Sequence, residues 1–129
     1  MAQGDIYSIN VRLKNTSRTG ASSSEIVSID NDSIVLSAIV SIAVNSDNSL
    51  RKYGKIELLN SNSEFMHRFF YKRQDSSQDW ELIELPAMKK LKVNAGEQLQ
   101  FIAHADYDSS DPYDDTIIYL NAKITLMEV

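Results

Sequence analysis

Residues 96–126 read GEQLQFIAHADYDSSDPYDDTIIYLNAKITL. Two runs, 97–107 and 116–127, flank the loop ADYDSSDPYDD and alternate apolar with polar side chains. Leu99, Phe101, Ala103, Ala105 and Tyr107 share one side of the first run; Ile118, Leu120, Ala122, Ile124 and Leu126 share one side of the second. A period of two marks half-buried strands. At about 3.3 Å per residue, such a pair holds the loop at the rim of a sheet, where binding groups commonly sit. Asp106, Asp108, Asp111, Asp114 and Asp115 place five carboxylates within ten residues of that loop. They repel one another unless cations, donors or water screen them.

Upstream, KKLKV (89–93) leads into Asn94, Ala95 and Gly96, a turn whose glycine suits positive φ. WELIEL (80–85) reads as a strand, with a short helix from Ser77 as the alternative, and Pro86 ends either one. FMHRFFYKR (65–73) places Phe65, His67, Phe69 and Tyr71 on one side and Met66, Arg68, Phe70 and Lys72 on the other. Aromatic residues on both sides imply burial together with an interface or a ligand groove. YGKIELLN (53–60) reads as the strand before it. IVLSAIVSIAVN (34–45) puts Ile34, Leu36, Ala38, Val40, Ile42 and Val44 on one face, with Val35, Ile39 and Ala43 among serines on the other. That pattern, rich in β-branched residues, suits a strand in the middle of a sandwich or at a subunit contact.

EIVSID (25–30) is a short strand, and DIYSINVRLK (5–14) alternates with Tyr7, Ile9, Val11 and Leu13 inward. Ser/Thr-rich 15–24 and polar 45–52 are loops. Eight to nine short strands with little helix predict an all-β fold, an antiparallel β-sandwich of jelly-roll type, as a single domain over 1–129.

Composition narrows the function. The hydrophobic fraction is 43%, enough for a core, and no apolar run reaches about 18 residues, so no spanning helix is expected. The opening MAQGDIYS lacks a basic n-region and an apolar segment, so no secretory signal is read there. Thirteen basic against 18 acidic residues give a net charge of −5, which argues against broad nucleic-acid binding. The chain has no cysteine, which excludes disulfides and thiolate metal sites.

Calcium takes six to eight oxygens at about 2.3–2.6 Å, from carboxylates, carbonyls and water. Asp106, Asp108, Asp111, Asp114 and Asp115 supply that ligand type, with Ser109, Ser110 or Asn121 to complete a shell. The spacing is not that of an EF-hand. The competing reading is a solvated acidic turn that keeps an edge soluble. Segment 96–126 also resembles the C-terminal part of the bacterial calcium-dependent, galactose-binding lectins, small jelly-roll domains. By that resemblance Asp106 matches the first acidic ligand and Asp114 with Asp115 the adjacent Asx pair. Tyr53-Gly54 matches a Tyr-Gly pair whose carbonyl reaches the metal. The resemblance implies sugar hydroxyls on the calcium, with His104, Tyr107 and Tyr113 bonding to or stacking on the ring.

Other chemistry is sparse. His104 and Asp106 lie on one strand face at i, i+2, and with a serine they make a hydrolytic triad conceivable, but no nucleophile-elbow glycine pattern surrounds any serine. No enzyme is expected. Trp80 is either a core anchor or a sugar-stacking platform. The leading expectation is a carbohydrate-binding, lectin-like module with glycan partners, a calcium site at 106–115 and homo-oligomeric avidity. The alternative is a structural or assembly sandwich, such as a trimerising module or a phage or toxin-complex component, with no small-molecule ligand. Strands 34–44 and 65–71 speak for that alternative.

Overall fold

The computed structural model describes residues 4–16, 22–45, 50–73, 78–84, 91–106 and 116–129; for 78–84 it describes the backbone alone. Among the described residues nine strands follow in order: β1 (Ile6–Thr16), β2 (Ser22–Ser28), β3 (Ser33–Asn45), β4 (Lys52–Leu59), β5 (Phe65–Arg73), β6 (Gln78–Glu84), β7 (Lys92–Val93), β8 (Gln98–Ala105) and β9 (Ile117–Glu128). One sheet runs β1-β9-β3-β6, with β7 paired to the start of β3; the other runs β2-β8-β4-β5. Every pairing is antiparallel.

The topology follows from one long ribbon. β1 pairs with β9, β2 with β8, β3 with β6 and β7, and β4 with β5. Folded at the β4–β5 turn and rolled so that alternate pairs fall in opposite sheets, that ribbon is a jelly roll. Its tip is tightly built. Asn60 Oδ1 accepts the amides of Asn62 at 2.9 Å and Glu64 at 3.0 Å, and Ser63 adopts φ 62°. Beside this tip, at the same end of the sheets, Gly96 closes the turn before β8 with φ 88°, the conformation the sequence calls for.

Alternation predicts the core well wherever the ladder is regular. Leu99, Phe101, Ala103 and Ala105 of β8 and Ile118, Leu120, Ile124 and Leu126 of β9 are fully enclosed. Val11, Val40, Ile42 and Ile56 face them. Between the sheets Gly54 permits close approach: a Cβ there would lie 2.5 Å from Leu120 Cδ1 and 3.1 Å from Ile42 Cδ1.

Two faces differ from expectation, and bulges explain both. The β3–β9 register shifts between Val35 and Ser37, so Val35 enters the core while Ile34 and Leu36 are only half-buried. The β4–β5 register shifts twice, between Ile56 and Glu57 and between Leu58 and Leu59. The simple two-sided division of β5 is lost: Arg68 lies 5.3 Å over the Tyr71 ring, on the face it was expected to avoid. Residues 78–84 form a strand and not a helix, and the Trp80 side chain lies outside the described residues. No helix among the described residues is long and apolar enough to cross a membrane.

Candidate functional site

Sheet register carries the site. In the β2-β8-β4-β5 sheet, Ser22 pairs with His104, His104 with Tyr53, and Tyr53 with Arg73, so these positions form one transverse row. The row lies on the outer face, because the alternating neighbours Ala103, Ala105 and Gly54 point into the core.

Along it the rings stack. Tyr53 lies 4.7 Å from the His104 ring at 18°, and 5.2 Å from the Tyr71 ring at 30°. Arg51 and Lys55 approach the Tyr53 ring at 5.4 and 5.8 Å. Offset stacks and cation–π contacts of this kind each add about 0.5–1.5 kcal/mol beyond burial. His104 is 6% exposed in spite of facing outward, because its neighbours in the row cover it.

A polar chain crosses the stack. Ser22 Oγ lies 2.7 Å from His104 Nδ1, and His104 Nε2 is hydrogen-bonded to Asp106 Oδ1. The second Asp106 oxygen lies 3.6 Å from Arg51 Nε, and the Asp106 amide donates to the Arg51 carbonyl at 2.9 Å. An ionised Asp106 only accepts, so Nε2 carries the proton facing it. With that proton on Nε2, a neutral ring accepts at Nδ1 from the Ser22 hydroxyl, and a charged ring donates to it. This is a hydroxyl–imidazole–carboxylate chain, with the ring nitrogens in the reverse of their usual roles in a Ser-His-Asp triad.

The structure therefore brings Tyr53, His104 and Asp106 together, three of the residues singled out by sequence. Tyr53 contributes through its ring, since β4 is paired on both sides at that position. Tyr107, Asp108, Asp111, Tyr113, Asp114 and Asp115 lie outside the described residues. Among the described residues no three His, Asp or Glu side chains gather around a common point suited to a metal. Ser22, Arg51 and Tyr71 join the cluster without having been predicted. Only the pairing of β2 with β8 brings Ser22 to a histidine 82 residues away.

Beside the row, the β4–β5 edge is cationic. Within 51–73 the basic residues Arg51, Lys52, Lys55, Arg68, Lys72 and Arg73 face only Glu57 and Glu64, while the rest of the chain has seven basic against sixteen acidic residues. Buried Glu57 lies 3.4 Å from Lys55 Nζ and 3.6 Å from Arg68 Nε. A charge so enclosed needs such partners. Along β5, Phe65, Met66 and Tyr71 are 60%, 48% and 45% exposed.

No family model matches the chain, and no curated protein matches it in sequence. Solved structures align with it. A CocE/NonD family hydrolase from Staphylococcus aureus aligns with a TM-score of 0.52 at 11% identity, over 98% of this chain and 34% of that one. The infectious bursal disease virus Gx strain structure aligns at 0.48 and 10% identity, over 98% and 33%. The Bacillus endospore appendages, described as disulfide-linked pili, align at 0.43 and 12% identity, over 99% and 93%. The chain thus spans about a third of the length of the first two. At these identities the likeness is one of fold alone.

Proposed function

We propose that the chain is a structural, assembly-type β-sandwich that works through contacts along its strand edges. The observation that carries this reading is β5. Among the described strands its one neighbour is β4, yet it holds the exposed apolar side chains Phe65, Met66 and Tyr71 in a cationic setting. Edge strands with an open ladder and apolar side chains pair with other chains unless something blocks them. Sedimentation velocity over a concentration series tests the reading: association that grows with concentration supports it, and a monomer throughout contradicts it.

A carbohydrate-binding, calcium-assisted role is the second reading, favoured by the meeting of Tyr53, His104 and Asp106. It ranks below assembly because the Tyr53 ring already stacks with two rings and both Asp106 oxygens already have partners. A glycan array with and without calcium tests it, and calcium-dependent binding would reverse the ranking.

Catalysis is not part of this proposal. Ser22 stands in a regular strand, without the strained strand-to-helix turn that exposes a nucleophilic serine in hydrolases. We assign the Ser22–His104–Asp106 chain the role of fixing β2 to β8 and the histidine ring within its stack.

A further inference from the structure

We propose that copies of this chain join head to tail, the β5/β6 side of one copy continuing both sheets at the β2/β1 side of the next. This rests on the assembly reading and names its partner: a second copy of the chain.

Topology comes first. β1 and β2 form one side of the sandwich, and β6 and β5 form the opposite side. Each sheet is a path of four antiparallel strands. With an even number, the two edge strands of each sheet run in opposite directions. A neighbour related by translation therefore presents β2 antiparallel to β5 and, at the same time, β1 antiparallel to β6. Both sheets are extended by a single operation, in the better of the two pairing modes.

Shape agrees. On the β1/β2 side a cleft of about 220 Å³ opens between the sheets, lined by Tyr7, Ile9, Val27, Ser28, Ile29, Asp30 and Asn31. It is smaller than the roughly 300–1,000 Å³ of small-molecule sites and suits a single side chain. Following the register across the sheet, Ser28 pairs with Gln98, Gln98 with Leu59, and Leu59 with Phe65. A neighbour placed without slip thus brings Phe65, the most exposed aromatic of β5, level with Ser28 on the outer face, while His67, whose row runs through Leu58 and Leu99 to Val27, comes level with the cleft. Ile26, 46% exposed, falls level with Arg68.

Charge selects this arrangement over like-with-like pairing. β5 carries Arg68, Lys72 and Arg73, whereas β6 carries Asp79, Glu81 and Glu84; the opposite side has Glu25 on β2 and Arg12 with Lys14 on β1. A twofold contact setting β5 on β5 and β6 on β6 matches like signs in both sheets. The head-to-tail contact sets basic β5 on β2 and acidic β6 on β1. Like charges on an edge are a known device against self-pairing, and opposite ones choose the partner. A contact that uses two different surfaces does not close by itself, so the product is a ring or a filament. Four strand spacings give a rise of about 19 Å per copy, and the twist of four strands turns successive copies by about 80–100°.

Two blocked variants provide the test. Phe65→Lys with Met66→Lys removes the apolar contact of β5; Ile26→Lys with Ser28→Lys puts ammonium groups on the receiving edge. All four side chains are exposed, and thermal melts near wild type verify the folds; Phe65→Ser and Ser28→Arg replace either pair that fails to fold. In sedimentation velocity at on the order of 100 µM, wild type should form an open series, and each variant alone should associate at least roughly tenfold more weakly. An equimolar mixture retains one intact contact and should stop at a one-to-one dimer. Dimers of either variant alone would overturn the head-to-tail contact and leave the assembly reading standing. Monomeric wild type would overturn both.

Discussion

Strands β9 and β5 hold similar apolar content and meet opposite fates. β9 is paired along its length with both β1 and β3, and its alternation is unbroken, so Ile118, Leu120, Ile124 and Leu126 vanish into the core. β5 is paired with β4 alone, through a ladder bulged twice, and of its nine residues only Phe70 is buried. What separates them is position in the sheet, since an edge strand lacks the neighbour that would complete its cover. Large apolar side chains left on such an edge expose surface that a monomer has no reason to keep.

Several substitutions would break or sharpen that contrast. Leu120→Ala on β9 should destabilise the fold by roughly 2–5 kcal/mol, from lost burial and the cavity left behind. Phe65→Ala on β5 should change monomer stability by no more than about 0.5 kcal/mol. Urea unfolding measures both, and equal effects would erase the distinction. Gly54→Val comes next, at about 1–3 kcal/mol, because its side chain must displace Leu120 and Ile42 between the sheets. Ser22→Ala should cost about 1 kcal/mol by leaving Nδ1 of the enclosed His104 without its hydroxyl. As a smaller companion effect, a fluorophosphonate probe should leave Ser22 unlabelled; labelling that His104→Ala abolishes would make the chain of groups catalytic instead.

Much of the fold was legible because alternation is a physical consequence of the strand. Every strand except the two-residue β7 appears near its expected place, and β1, β8 and β9 bury the predicted faces. In β3 and β5 the faces go astray at bulges. One inserted residue reverses inside and outside, and nothing in Val35-Leu36-Ser37 or around Arg68 announces it. β2 begins at Ser22 and not at Glu25, since Ser23 is held by the Lys14 carbonyl and Asn15 across the corner. The candidate site was half legible. His104 and Asp106 are two residues apart on one strand, so their meeting could be read locally. Ser22 and Tyr71 reach them only through long-range register. Of the acidic residues central to the calcium expectation, Asp106 is turned toward His104 and Arg51, and the other four lie outside the described residues.

Hydrogen exchange of the backbone amides as a function of protein concentration examines the two edges most directly. The account predicts that amides of β5 and of β2 gain protection together as concentration rises, while those of interior β9 stay constant. Protection gained by β5 without β2, or by neither, would contradict it.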